Sequence, residues 1–204
     1  MLRLRGAGRR FGRRTVFADL DLDLPAGVRL LVVGGNGSGK TTLLRCLAGT
    51  LALSAGRATV AGHPVGSPAA RHLVGVGLAT DLGLYEQLTA RDNLMLVARL
   101  RLPVPDRSAE VRRLEGELGV DTFSGTPIRH CSTGMRARVT IARALLGDPK
   151  LLLLDEPGRS LDDRARELLW ATLDRRPRLG CVIASPHDTD RDRCDRLLTL
   201  TAPR

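Results

Sequence analysis

The pattern of apolar and polar residues predicts strands of two kinds. Residues 15–24 alternate apolar with mainly acidic side chains, which is typical of a strand with one buried face. Three short, mainly aliphatic segments indicate strands covered on both sides in a parallel sheet, namely Val28–Val33, Leu151–Leu154 and Gly180–Ser185. A hairpin is expected at 57–66, and a last short strand at Arg196–Thr201.

Helical periodicity fills the intervals between these strands. The sequence predicts helices over Lys40–Leu47 and Ser132–Leu146, and an arginine-rich helical segment from Leu94 to Leu118 that is interrupted at 102–106. A further helix, Ser160–Leu173, carries its apolar residues on one face, and Ser160 with Asp163 resembles a capping box. Buried strands that alternate with helices predict an α/β fold with a mainly parallel sheet.

Composition and charge narrow the possible functions. The chain has 204 residues, of which 43% are hydrophobic, and this fits a globular domain. No stretch approaches the roughly 18 to 20 apolar residues of a membrane span, so a cytoplasmic protein is expected. The net charge of +10 indicates an anionic partner, although an arginine-rich background composition explains it equally well. Aromatic residues are few and scattered, which disfavours single-stranded nucleic acid, and the four cysteines form no Cys-x-x-Cys pair of a zinc site.

A glycine-rich loop carries the strongest chemical signal. The segment from Gly34 to Thr41, Gly-Gly-Asn-Gly-Ser-Gly-Lys-Thr, matches the phosphate-loop pattern and stands between a predicted buried strand and a predicted helix. Its glycines allow consecutive backbone N–H groups to surround an anion at a helix N-terminus. Lys40 is expected to reach the β- and γ-phosphates, and Thr41 to ligate Mg²⁺. The loop therefore predicts binding of a nucleoside triphosphate with magnesium.

Two acids follow the second aliphatic strand. Asp155 and Glu156 stand at the carboxyl end of Leu151–Leu154, the end at which open α/β sheets bind ligands. Asp155 is expected to orient magnesium, and Glu156 to polarise the attacking water beside the γ-phosphate. The alternative is a solvated acidic turn, which the upstream phosphate loop makes the weaker interpretation.

With both motifs in place, essentially the whole chain resembles the ATP-binding subunits of ABC transporters. Cys131-Ser-Thr-Gly-Met135, which lies 24 residues before Asp155, is similar to the signature sequence of that family, in the form found with ABC-2-type exporters. The resemblance implies a P-loop NTPase fold with an antiparallel β subdomain near the N-terminus, a single domain over 1–204 and a small helical insert at about 85–131. The chain is similar in its short length to the haem exporter ATPase.

The resemblance also implies roles for residues outside the two motifs. Ser132 is expected to cap a helix N-terminus that points at phosphate, and Gly134 to permit close backbone approach. Both would bind the γ-phosphate held by a second subunit, and the segment from Ser160 to Asp162 would cross the interface between the two. His187 is similar to the switch histidine that contacts the γ-phosphate, and Phe11 to the aromatic residue that stacks on adenine, with a core or edge aromatic as the alternative for Phe11. The expected nucleotide contacts are Phe11, Gly34, Gly35, Asn36, Gly37, Ser38, Gly39, Lys40, Thr41, Thr42, Asp155, Ser132, Gly134, Ser160 and Asp162. Lys40, Glu156 and His187 are expected to act in catalysis, and Thr41 and Asp155 to hold Mg²⁺.

Three positions depart from the family pattern. The family usually has a glutamine where Thr80 stands, and Thr80 or Asp81 offers only a shorter oxygen-bearing side chain in its place. Cys131 stands where an aliphatic or aromatic residue is usual, and Pro186 precedes the switch histidine where threonine is usual. The change at Thr80 affects the expected coupling between nucleotide and transported substrate more than it affects nucleotide binding.

The leading functional hypothesis is an ATPase subunit that drives a separate integral membrane permease, with export as the direction that the signature favours. Two copies, or two paired ATPase subunits, would pair head to tail around two Mg-ATP, and the subunit would lie on the inner face of the membrane through its permease. The segment from Asp81 to Leu94 and the arginine-rich insert would contact that permease, or the charged face of the insert is merely solvated. Two alternatives remain: a soluble ABC ATPase acting on nucleic acid or the ribosome, and a weakly hydrolysing member of a heterodimer.

Overall fold

Nine strands and six α-helices are found in the computed structural model, which describes residues 1–78, 83–186 and 190–201. The strands are β1 Leu2–Phe11, β2 Arg14–Leu24, β3 Arg29–Val33, β4 Ala55–Val60, β5 His63–Pro64, β6 Val74–Gly77, β7 Leu151–Asp155, β8 Gly180–Ser185 and β9 Arg196–Thr199. The helices are α1 Lys40–Leu47, α2 Pro68–Leu73, α3 Ala90–Arg101, α4 Arg107–Glu117, α5 Thr133–Leu145 and α6 Asp163–Asp174. Thr80, Asp81 and His187 lie outside the described residues.

The first of two compact units contains both sheets, and it comprises residues 1–78, 150–156 and 178–204. Its antiparallel sheet has the order β2-β1-β4-β5, and its parallel sheet has the order β6-β7-β8-β3-β9. Every pairing in the five-stranded sheet is parallel. The predicted mainly parallel sheet and the antiparallel subdomain are therefore confirmed.

A single apolar core joins the two sheets and α1. Leu2 and Leu4 of β1 share this core with Leu43 and Leu44 of α1 and with Leu151 of β7, and all five are fully buried. The aliphatic strands β7 and β8 are buried along almost their whole length, as expected for central strands covered on both faces. This packing fixes α1, and hence the loop that precedes it, against the parallel sheet.

The second unit is helical and comprises residues 79–149 and 157–177. Helix α4 packs against α3, α5 and α6, and its Val111 and Leu114 are buried. The buried carboxylate of Glu115 on α4 accepts from Arg91 on α3, with a shortest contact of 2.8 Å from Nη2 to Oε2. Burying one charge is tolerable because this arginine pairs with both carboxylate oxygens. The predicted helical segment and its interruption are confirmed, while the single domain over 1–204 and the insert at 85–131 stay predictions.

The start of α6 differs from the prediction. Residues Pro157–Ser160 form a 3₁₀ turn, so Ser160 is not the N-cap and the expected capping box with Asp163 is wrong. The N-cap is Asp162, whose Oδ1 accepts from the backbone N–H of Ala165 at 2.7 Å. Aspartate is among the best N-cap residues, and its extended backbone separates the turn from the helix.

Three elements were not anticipated from the sequence. Strand β1 alternates leucine with arginine and is broken by bulges near Gly6 and Gly8, which obscure its period. Strand β6 has the sequence Val-Gly-Val-Gly, and its two glycines hide the apolar pattern of a buried strand. The segment is a strand because it pairs with β7. Helix α2 has only six residues, too few for a periodic signal.

Candidate functional site

The glycine-rich loop connects the end of β3 to the start of α1 inside the first unit. Gly39 is the N-cap of α1 and has φ of 99°, a left-handed conformation that L-residues rarely adopt. A Cβ at this position would lie 2.5 Å from Cγ1 of Val16. Glycine is therefore required here both by the backbone conformation and by the approach of β2.

The N-terminus of α1 is left open for an anion. No side chain among the described residues caps this helix, and its first turn contains no acidic residue. Ser67, Thr89, Ser132 and Asp162 cap α2, α3, α5 and α6 with side-chain oxygens. Helix α4 also has no side-chain cap, but it continues directly from a 3₁₀ turn and has Glu110 in its first turn. The uncapped N–H groups and the helix dipole make the start of α1 a favourable place for phosphate.

Lys40 folds back over the loop that it follows. Its Nζ donates to the carbonyl oxygens of Gly34 at 2.6 Å and Gly35 at 3.1 Å, and the residue is 6% exposed. A buried ammonium must keep its hydrogen bonds, and these two carbonyls supply them.

Asp155 is bonded to the phosphate-loop threonine. Its Oδ2 accepts from Oγ1 of Thr41 at 2.7 Å, while its Oδ1 is buried and has no hydrogen-bond partner among the described residues. Burial raises the pKa of this carboxyl above its usual value, and the Thr41 hydrogen bond opposes the shift only in part. A buried carboxylate oxygen without a donor is suited to a cation or its bound water.

Glu156 lies directly after β7 in a left-handed backbone conformation, with φ of 49°. Its N–H donates to the carbonyl of Ala184 on β8 at 2.8 Å, which ties the residue to the neighbouring strand. Non-glycine residues in this conformation cost energy and concentrate at functional positions. Glu156 lines the same cleft as the phosphate loop.

The cleft in the first unit has a volume of about 470 Å³, within the range of ligand sites. Its lining combines predicted contacts with two residues that sequence reasoning missed, Arg14 and Val16. The predicted residues that line it are Phe11, Asn36, Gly37, Ser38, Gly39, Lys40, Thr41, Thr42 and Glu156. Arg14 and Val16 join the site because β2 pairs with β1 beside Phe11, a register that local sequence does not reveal.

Four further predicted residues form a second group inside the helical unit. Ser132 caps α5 by accepting from the N–H of Met135 at 3.2 Å, as predicted. Gly134 is close to the turn before α6, since a Cβ there would lie 2.7 Å from the carbonyl oxygen of Ser160. Asp162 caps α6 directly after that turn. The glycine therefore allows a close approach, and the group that approaches is this chain's own backbone.

The packing around Cys131 explains why a cysteine is accommodated at the start of the signature-like segment. Cys131 is 7% exposed, and its thiol lies 3.6 Å from the carbonyl oxygen of Pro127. Burial raises the pKa of this thiol, so it stays protonated at neutral pH. Cys131 therefore acts as a small apolar residue in the place of an aliphatic one.

Side chains that could contact a metal ion beside the phosphate loop include those of Thr41 and Asp155. No group of three or more His, Cys, Asp or Glu residues that could hold an ion occurs in 1–78, 83–186 and 190–201. At triphosphate sites, magnesium is bound by a hydroxyl, one carboxylate and phosphate oxygens.

Across the described part of the chain, no helix has both the length and the apolar character needed to cross a bilayer.

Comparisons with known proteins agree with this geometry. A family model described as "ABC transporter" matches residues 17–159. The chain is 33% identical to Nod factor export ATP-binding protein I of Rhizobium johnstonii over 207 residues, which is 98% of this chain and 66% of that protein. It is 38% identical to the probable multidrug ABC transporter ATP-binding protein YbhF of Escherichia coli over 174 residues, 83% of this chain and 30% of that protein. The chain thus spans from under a third to about two thirds of these curated relatives.

Solved structures share the fold. The ATP-binding cassette MJ0796 bound to ADP and Pi superposes with a TM-score of 0.87 at 19% identity, over 99% of this chain and 95% of that one. A structure described as the ATP binding subunit of an ABC transporter gives a TM-score of 0.89 at 22% identity, over 99% and 86% of the two chains. The predicted fold class is therefore confirmed over nearly the whole chain.

Replacing Asp155 by asparagine is expected to stabilise the protein when nucleotide and magnesium are absent. The asparagine oxygen can still accept from Thr41, and the cost of a buried carboxylate is removed. Because the folded-state pKa is raised, this cost is fully present above it and disappears as pH falls towards 3.8. Thermal unfolding followed by circular dichroism should show a gain of less than about 1 kcal/mol at pH 8, after discounting for partial exposure of the carboxyl.

The control is Asp121→Asn, the same change at an exposed aspartate. It is expected to leave the unfolding temperature nearly unchanged at both ends of the pH range. A lower unfolding temperature for Asp155→Asn than for the parent at pH 8 would contradict the electrostatic account of this site.

Proposed function

The chain belongs to the ABC transporter family, and from this premise we propose that it binds and hydrolyses ATP to power a separate membrane permease. The observation that carries the proposal is the hydrogen bond between Thr41 of the phosphate loop and Asp155 at the end of β7, beside a cleft that Glu156 also lines. Three chemically different groups thus meet where a triphosphate would lie. They are open backbone donors at α1, a lysine, and carboxylates at the strand end.

Nucleotide binding is proposed to begin with an exchange of hydrogen bonds. The β- and γ-phosphate oxygens replace the carbonyls of Gly34 and Gly35 as partners of Lys40, and the free N–H groups of α1 complete the cradle. The residues from Asn36 to Thr42 line the phosphate end of the cleft. Phe11 lines the same cleft and offers its ring for stacking on adenine.

Magnesium is proposed to be held by Thr41 and Asp155. The unpartnered Oδ1 of Asp155 and the Thr41 hydroxyl are oxygen donors of the kind that Mg²⁺ prefers, and Asp155 can act through a water molecule. When bound, the ion would neutralise part of the negative charge of the phosphates. Thr41 and Asp155 already contact each other, so the two proposed oxygen ligands lie close together before an ion binds.

Hydrolysis is proposed to use Glu156 as the group that orients and deprotonates the attacking water. A carboxylate within the cleft and next to the phosphate loop is suited to this role. His187 is proposed to contact the γ-phosphate, as the resemblance implies. Lys40 stabilises the negative charge that develops on the transferred phosphoryl oxygens.

A head-to-tail pair of ATPase subunits, either two copies or two related chains, is proposed to complete each site. Ser132 and Gly134 at the start of α5 would contact the γ-phosphate of the other subunit, and Ser160 with Asp162 would lie at the interface. Support comes from the clustering of these four residues at two neighbouring capped helix starts in the helical unit.

The permease is proposed to contact the part of 81–94 that begins at Gly83. Tyr85 is 57% exposed, and the buried Asn93 accepts from its N–H at 2.8 Å and donates to its carbonyl at 3.1 Å. An exposed aromatic residue on a firmly held loop is a typical contact for a partner protein. Export is the proposed direction, because the relatives include proteins named for Nod factor export and multidrug transport.

Substitution of Lys40 by alanine is expected to weaken nucleotide binding by about tenfold to a hundredfold, since hydrogen bonds to a charged group are lost. Titration calorimetry with Mg-ATP measures the change. The matched control is Lys150→Ala, which alters the only other lysine of the sequence and should leave affinity unchanged. Equal affinities for Lys40→Ala and the parent would remove Lys40 from the binding site.

Substitution of Glu156 by glutamine is expected to keep ATP binding and reduce kcat by about a hundredfold to ten-thousandfold, because glutamine cannot accept the proton of water. With hydrolysis blocked, ATP should accumulate a dimer that gel filtration detects. Glu167→Gln, at an exposed glutamate of α6, is the control. A Glu156→Gln protein that hydrolyses ATP at the parent rate excludes Glu156 as the base.

Membrane association is expected to depend on a multi-spanning protein encoded beside this chain. Co-expression of the two should move the chain into the membrane fraction, and expression of the chain alone should not. Recovery with ribosomes or RNA, in a form released by ribonuclease, would instead favour the soluble ATPase that acts on nucleic acid.

A further inference from the structure

The aromatic ring at the edge of the cleft is already stacked on one of its faces. The guanidinium carbon of Arg9 lies 4.4 Å from the centroid of the Phe11 ring. This is the distance of a cation–π stack, in which the positive group lies over the electron-rich face of the ring. Phe11 is nevertheless 48% exposed, so a large part of the ring remains open.

Phe11 is also part of the wall of the cleft. Phe11 lines the cleft together with Arg14 and the phosphate loop, whereas Arg9 is not among its lining residues. A flat ring has two faces, and the guanidinium occupies one of them. The opposite face is the one left for a ligand of the cleft.

Arg9 is itself held firmly. Its Nη1 donates to the carbonyl oxygen of Ala52 at 2.9 Å, a residue 43 positions along the chain. Its Nε is buried and has no hydrogen-bond partner among the described residues, and an electron-rich ring face is a suitable cover for such an N–H. The Ala52 hydrogen bond and the ring contact together restrict the movement of the guanidinium.

Phe11 has no comparable anchor of its own. It is the last residue of β1 and precedes Gly12, which has φ of 57° in the turn to β2. An exposed side chain at the end of a strand samples several rotamers, and fixing one of them on binding costs entropy. A preformed stack on Arg9 removes part of that entropy cost before the ligand arrives.

We propose that Arg9 is a positioning residue for the nucleobase, which holds the Phe11 ring so that its free face receives the base. The inference rests on the proposed nucleotide binding and adds to it a residue that does not touch the ligand. It predicts that the contribution of Arg9 appears only with ligands that carry a base. Ligands with phosphates alone should not detect it.

The experiment compares Mg-ATP with inorganic tripolyphosphate plus Mg²⁺, using titration calorimetry on the full chain. Arg9→Leu should weaken ATP binding by about threefold to tenfold, the range expected for loss of a cation–π contact. Its affinity for tripolyphosphate should remain within about twofold of the parent, because the phosphate loop is intact. Arg9→Lys, which keeps a cation over the ring, should lie between the parent and Arg9→Leu.

Two further variants separate positioning from general effects. Arg10→Leu removes the same charge from the next residue, whose exposed side chain makes no ring contact in the described structure, so any loss should be equal for both ligands. Phe11→Ala should weaken ATP binding by about tenfold or more, as loss of a stacked base does. Adding Arg9→Leu to Phe11→Ala should cause no further loss, because the ring through which Arg9 acts is gone.

The outcomes are distinct. Equal losses for ATP and tripolyphosphate in Arg9→Leu would show that Arg9 acts by charge or by supporting the fold, and would overturn the proposal. So would additive losses in the double variant, or a parent that binds tripolyphosphate as tightly as ATP. If the parent binds neither ligand, it is the proposed nucleotide binding that fails.

Discussion

The parallel pairing of β7, β8 and β3 is the constraint on which the remainder of the site depends. In this register Asp155 pairs with Ala184, and Ala184 pairs with Val32, one residue before the end of β3. The phosphate loop and the two acids therefore leave the sheet at the same edge, although more than a hundred residues separate them in sequence. A shift of one residue in either pairing would send alternate side chains to the other face and would separate Thr41 from Asp155.

Several polar groups at the same edge of the sheet lack hydrogen-bond partners among the described residues. Oγ of Ser38 and Oδ1 of Asp155 are buried without a partner among the described residues, the start of α1 has no side-chain cap, and Lys40 donates to a carbonyl oxygen of its own loop. Folded proteins satisfy nearly all buried polar atoms, so these two exceptions support the proposed ligand site. The raised pKa of Asp155 has the same origin, since burial disfavours the charged carboxylate. A Mg-nucleotide is proposed to relieve these costs together.

How much of this could be read from the sequence depends on how local each feature is. The phosphate loop and the cap at Ser132 are defined by residues within a few positions, and the structure places both as expected. Asp162 replaces Ser160 as the cap because the choice between neighbouring polar residues depends on the preceding 3₁₀ turn. Arg9 and Arg14 could not be found in this way, because the bulged register of β1 against β2 decides which arginine reaches the ring and which reaches the cleft.

The N-terminal N–H groups of α1 and α5 are satisfied differently. The difference fits the proposal that α1 binds the nucleotide of its own chain and α5 that of a second subunit. Helix α1 has no side-chain cap, so its N–H groups are available to the nucleotide that the same chain is proposed to bind. Helix α5 is capped by Ser132, whose Oγ accepts from Met135 and whose own proton remains available to donate. A phosphate oxygen from a second subunit can therefore be bound by that hydroxyl without displacing the cap. Gly134 supports this arrangement from the other side, because the carbonyl of Ser160 occupies the space where a side chain would be. The start of α5 is thus complete without a ligand and still able to bind one, as a site formed only in a dimer requires.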